Sequence, residues 1–101
     1  MNAVQVALPA KFDFRLYVAG DAANSTQALA NLRAICAVNL PGRSSIEVVD
    51  VFGQPGRALA DGVFMTPTLI KLSPAPVRRI VGSLNQREHV LEVLGVQVGV
   101  T

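Results

Sequence analysis

The chain has 101 residues, 50% of them hydrophobic and only 16% charged, enough for one domain with its own apolar core and the opposite of a disordered composition. A formal net charge of +2 is too small to indicate a nucleic-acid partner. No apolar run approaches the roughly 20 residues that span a bilayer. Residues 1–10 lack the charged start and long apolar centre of a signal peptide. Cys36 is the single cysteine, so neither an internal disulfide nor a Cys-x-x-Cys pair can form, and a reducing cytoplasm is the expected compartment.

Residues 1–10 are expected to be a loose N-terminal tail closed by Pro9, residues 11–95 the domain, and residues 96–101 a C-terminal tail. From residue 12 to 19 the pattern alternates: Phe12, Phe14, Leu16 and Val18 face one way and Asp13, Arg15, Tyr17 and Ala19 the other, which predicts a strand. Gly20-Asp21 breaks it. Asn24 or Ser25 then offers a side-chain oxygen to the free N–H groups of a first helical turn, with Gln27 near capping-box spacing. Leu29, Leu32, Ile35 and Cys36 follow as an apolar stripe until Pro41-Gly42.

Residues 45–52, Ser-Ile-Glu-Val-Val-Asp-Val-Phe, are β-branched and apolar enough to predict a buried strand. A short helix is expected over residues 55–60. Two apolar runs, 68–72 and 77–81, flank Ser73-Pro74-Ala75-Pro76. Because proline removes ladder donors, the pair predicts a hairpin. Ser83 with Gln86 is the expected cap of a last helix burying Leu84, Leu91 and Leu94. The order is β-α-β-(α)-β-β-α, an opening parallel crossover completed by a hairpin and a helix in a mixed sheet. Residues 96–100 alternate as a strand would, although they directly follow a helix.

Met65-Thr66-Pro67-Thr68 resembles the cis-proline loop of thioredoxin folds. A redox-active member would carry its thiolate in the loop before the first helix, where free N–H groups and the helix dipole stabilise it. That loop here contains no sulfur. Cys36 lies in the apolar stripe and is expected to be structural. His89 has no partners for a metal site, which takes about three or four ligands, and is expected to face solvent; no cofactor is expected. Asp50 most simply anchors a loop. Arg78 and Arg79 are neighbours in a strand and so point to opposite faces. Arginines form bidentate carboxylate contacts and are enriched at interfaces, although a charged edge strand also discourages aggregation.

The segments Leu16-Tyr17-Val18-Ala19-Gly20, Asn24-Ser25, Val49-Asp50-Val51, Thr66-Pro67-Thr68-Leu69, Pro76-Val77-Arg78-Arg79-Ile80-Val81-Gly82 and Arg87-Glu88 resemble the KaiB family of circadian clock proteins, without gaps from about residue 12 to 94. The resemblance implies a non-enzymatic protein that binds the N-terminal ring of a KaiC-type ATPase hexamer, helps sequester KaiA and competes with a histidine kinase. It also implies two folds for one chain: a tetrameric ground state and a thioredoxin-like monomer, the latter being competent to bind the ring. On the family pattern Phe12, Tyr17, Asn24, Lys71, Arg78 and Arg79 are the partner-contact candidates. Pro67, Pro74, Pro76, Val93 and Gly95 are the candidate determinants of fold.

The chain departs from the clock proteins at Gln27 and Glu47, where a basic residue is usual, and in having Pro74-Ala75-Pro76 for three consecutive prolines. Val93 and Gly95 stand where a glycine and an aspartate are typical, and residues 96–101 carry no acidic run. Valine for glycine inside a helix favours it by a few tenths of a kcal/mol. The expectation is therefore a thioredoxin-like resting fold that engages a KaiC-like ring in a timing or stress system, with the tetrameric ground-state fold as the alternative. The competing functional reading is a module that has lost ring binding and engages a histidine kinase or another partner. A thioredoxin-type oxidoreductase is disfavoured by the missing cysteine pair.

Overall fold

A computed structural model describes residues 11–96. Seven elements follow in chain order: β1 Phe12–Val18, α1 Ala23–Asn39, β2 Ser44–Asp50, α2 Pro55–Ala60, β3 Thr68–Ser73, β4 Arg78–Val81 and α3 Arg87–Leu94. This is the predicted β-α-β-(α)-β-β-α order. The strands form one sheet in the order β2-β1-β3-β4, with β1 parallel to β2 and antiparallel to β3. β3 and β4 pair as the expected antiparallel hairpin. The expected tails, residues 1–10 and 97–101, lie outside the described residues, as does most of the alternating stretch 96–100.

The period of two in β1 divides the protein into two cores. Phe12, Phe14, Leu16 and Val18 enter the larger one with Leu32, Ile35 and Cys36 of α1, Leu69 of β3, and Val90, Leu91 and Leu94 of α3. On the other face Tyr17, Val49, Ala58, Val63 and Ile70 make a small core under α2. Cys36 is buried, and burial raises its thiol pKa, as befits a structural residue.

Three local expectations are corrected. The strand β2 is an edge strand with Val49 as its one fully buried residue; β-branched composition also suits a half-covered edge, so it could not distinguish the two. Helix α1 begins at Ala23 behind Ala22 with no side-chain cap. Asn24 and Ser25 are already helical, and the Ser25 hydroxyl turns back to accept the Ala19 backbone N–H at 3.0 Å. Helix α3 begins at Arg87 rather than after Ser83. Leu84 is buried from the preceding loop with φ of 63°, not from the helix stripe.

At its far end α3 stops at Gly95, whose φ is 71°. The Gly95 N–H reaches Glu92 O at 3.1 Å and the Val96 N–H reaches Leu91 O at 3.0 Å, the pair of bonds of a Schellman ending. Val96 is buried in the same core as Leu91. Val93 lies half-buried within the helix.

Candidate functional site

The pairings Val18 with Asp50, Tyr17 with Thr68 and Thr68 with Val81 bring the ends of β1, β2 and β4 together with the start of β3. At this end the peptide bond before Pro67 is cis, as are those before Pro74 and Pro76 at the opposite end. Asp50 Oδ1 accepts the N–H of Gly20 at 3.1 Å and that of Phe52 at 3.0 Å. One carboxylate thus joins the loop before α1 to the turn after β2, the anchoring role expected of it. A Cβ on Gly20 would meet the Phe52 ring at 3.6 Å, so the ring lies against backbone rather than in a core. Thr68 Oγ1 donates to Met65 O at 2.5 Å, fixing the segment before Pro67. The outcome is an apolar end of the sheet: Phe52 is 74% exposed, Phe64 85% and Met65 64%. Exposed apolar clusters of this kind mark binding surfaces.

The α2 face carries a polar network. Glu47 receives Arg15 Nε through one oxygen and Arg57 Nη1 through the other, each at 2.8 Å. Arg15 Nη1 also reaches Asp61 Oδ2 at 2.9 Å. The Tyr17 hydroxyl donates to the same Asp61 oxygen, with Arg57 O 3.1 Å away. These donors hold both carboxyls below their ordinary values: Glu47 at about 2, chiefly through Arg57 and then Arg15, and Asp61 chiefly through Tyr17. Burial, then the bond to Asp61, raises the Tyr17 phenol. Arg79 donates to the Asp61 and Gly62 carbonyls, placing a cation at the C-terminus of α2, where it suits the dipole.

The six contact candidates do not form one patch. Asn24 is exposed at the apolar end. Arg78 and Arg79 are exposed on β4 and point to opposite faces as predicted: Arg79 lies opposite Ile70 of the α2-side core, and Arg78 opposite Lys71. Phe12, Tyr17 and Lys71 are buried and present no surface to a partner in this fold. Phe12 stacks on Phe14 at 6.0 Å, Tyr17 is tied to Asp61, and Lys71 Nζ donates to Leu94 O at 3.0 Å. In this fold these three candidates lie beneath the surface. Sequence reasoning put Phe52 at the end of a buried strand, Met65 only in the cis-proline loop, and did not single out Phe64; β2 in fact ends at Asp50 and Phe52 lies in the turn after it, a signal available in the Gly53 and Pro55 breakers that follow. His89 is exposed, as expected.

Four strands in a mixed sheet, a cis-proline opening a central strand and a sulfur-free loop ahead of α1 define a thioredoxin-like domain without the dithiol. Solved structures agree on the fold. The N-terminal domain of Synechococcus elongatus SasA matches with a TM-score of 0.71 at 21% identity, covering 100% of this chain and 99% of that one. Mitochondrial thioredoxin 3 from Saccharomyces cerevisiae matches with a TM-score of 0.68 at 14% identity, covering 86% and 80%.

Residues 15–96 match the KaiB domain, and the chain belongs to the KaiB family of circadian clock proteins. It is 43% identical over 77 residues to the circadian clock protein KaiB3 of Synechocystis sp., which covers 76% of each chain. It is 48% identical over 77 residues to the circadian clock oscillator protein KaiB of a Synechococcus species, covering 76% of this chain and 70% of that one. No helix among the described residues is long and apolar enough to cross a membrane.

Proposed function

We propose that this chain is a non-catalytic, cytoplasmic binding module that engages a KaiC-type ATPase ring as a thioredoxin-like monomer. The observation that carries the reading is the apolar end of the sheet, where Asp50 and Thr68 hold Phe52, Phe64 and Met65 outward. In a redox thioredoxin the loop at this end supplies the thiolate; here it supplies backbone and no sulfur. Arg78, whose side chain makes no hydrogen bond or ion pair among the described residues, extends the contact set along β4. Gly95 and Val93 act in this reading as determinants of fold, by ending and filling α3. Pro67, Pro74 and Pro76 act by shaping the two ends of β3.

A second reading, loss of ring binding in favour of a histidine kinase or another partner, is favoured by Glu47. Its carboxylate neutralises Arg15 and Arg57 at a position where the clock proteins usually carry a basic residue. One experiment separates the two. The chain is mixed with a purified KaiC-type hexamer with nucleotide, and co-elution is followed by light scattering, alongside Phe64→Ser. Co-elution lost in Phe64→Ser supports ring binding through the apolar end. Absence of co-elution at concentrations where a clock KaiB binds the same ring removes the leading reading.

A further inference from the structure

Among the described residues Lys71 is the one charged side chain that is buried, at 2% exposure. It sits on β3 with the same parity as Leu69, so it points into the larger core. No carboxylate of the described residues forms an ion pair with it, and its cross-strand partner is Arg78. Burial and then Arg78 lower its pKa, so holding an ammonium there carries a cost that its contacts must offset. Those contacts are attractive. Nζ donates to Leu94 O at 3.0 Å, and the Phe12 ring, whose face attracts a cation, lies 5.7 Å away.

The hydrogen bond completes the end of α3. The last carbonyls of a helix have no partner within it and carry the negative end of its dipole. The Gly95 and Val96 N–H groups reach those of Glu92 and Leu91. The carbonyl of Leu94, the last helical residue, is met from outside the helix by the sheet lysine. Gly95 leaves room for that approach, since a Cβ there would stand 3.9 Å from Nζ. The helix has eight residues, too few to persist without packing. Val90, Leu91 and Leu94 supply that packing, and Lys71 adds a polar tie from the sheet to the last turn. A cleft of about 340 Å³, bordered by Phe12, Leu40, Pro74 and Gly95, lies beside this end, so the turn has room to lift.

We propose that Lys71 is the latch of α3: an ammonium fixed in the sheet that caps the helix C-terminus, lies over the Phe12 ring and holds the last turn closed on the larger core. Its stem packs as a core side chain would, so the part of the residue that closes the helix is the charged group and its donors. While α3 is closed, that group is spent inside the protein and is not offered to a partner.

The test is residue-resolved amide hydrogen exchange at neutral pH on the intact chain and on Lys71→Met, which keeps an unbranched apolar stem and removes the donor. Leu94 O is then left unpaired, so amides of residues 90–96 should exchange about tenfold faster, with those of β1 and α1 unchanged. Unchanged or slower exchange over residues 90–96 would overturn the proposal, and so would an equal acceleration in every element. The wild type supplies a second measurement, which decides the matter if Lys71→Met does not fold. By nuclear magnetic resonance the Lys71 ammonium should resist exchange with water and show a coupling to the Leu94 carbonyl carbon across the hydrogen bond. An ammonium that exchanges as fast as that of the exposed Lys11 would overturn the latch.

Discussion

Asp50, the last residue of β2, accepts the backbone N–H of Gly20 from the far side of the β1 end at 3.1 Å. The same oxygen receives the Phe52 N–H, so the loop before α1 and the turn that exposes Phe52 move as one piece. Asp50→Ala removes the shared acceptor and should cost about 1 kcal/mol in urea unfolding. Asp50→Asn keeps an oxygen in place and should cost less. If the apolar end binds a partner, Asp50→Ala should weaken binding beyond what its unfolded fraction explains, by titration calorimetry. Equal stability of the two variants would show that the joint is not held by this oxygen.

The network on the α2 face sets an acid limit. Glu47 and Asp61 have pKa values below those of the unfolded chain, Glu47 at about 2. The sign follows from linkage: a carboxylate with a lowered folded-state value stabilises the fold above its unfolded value and loses that contribution as pH falls through the folded one. Stability should therefore decline from the ordinary carboxylate range near 4.5 down to about 2. Glu47→Gln should flatten that decline in chemical denaturation across pH, and added salt should shrink the difference between the two proteins. An unchanged acid slope in Glu47→Gln would mean the exposed pairs with Arg15 and Arg57 contribute nothing.

Element order was legible because both periods are clear: alternation from Phe12 to Val18 and the stripe Leu32, Ile35, Cys36. The hairpin was legible because Ser73-Pro74-Ala75-Pro76 cannot continue a ladder. What failed depends on tertiary neighbours. Ser25 has the chemistry of a cap, but the Ala19 N–H competed for its hydroxyl. The burial of Tyr17 depended on α2 covering the face that Asp13 and Arg15 also share, and alternation alone cannot say which of two faces is covered. Lys71 was the one legible warning. Its parity with Leu69 put a lysine on a core face, where a contact role carried over from the family set it on the surface.

Gly95 joins sequence and fold at a single dihedral. Its φ of 71° is left-handed, a conformation that costs an L-residue roughly 1–2 kcal/mol. Gly95→Ala should lower stability by about 1 kcal/mol in thermal unfolding, with exchange at residues 91–96 affected first. A neutral Gly95→Ala would mean that α3 can end another way, and the Schellman bonds from Gly95 and Val96 would lose their importance.

Arg78 and Arg79 provide the sharpest separation of binding from folding, because adjacent residues of one strand do different work. The Arg79 guanidinium donates to the Asp61 and Gly62 carbonyls at the C-terminus of α2, whereas Arg78 is exposed and repels Lys71. Arg79→Ala should therefore loosen α2, seen as faster exchange at residues 57–63, at a cost of about 1 kcal/mol. Arg78→Ala should leave stability within about 0.5 kcal/mol and act instead on partner binding. A surface arginine at an interface shows itself mainly in a slower, less salt-dependent association rate when removed. The check pairs unfolding of both variants with association kinetics on a KaiC-type ring over a salt series. If Arg78→Ala destabilised the fold more than Arg79→Ala, the two roles would be exchanged, and the contact surface would have to be drawn on the α2 side of the sheet.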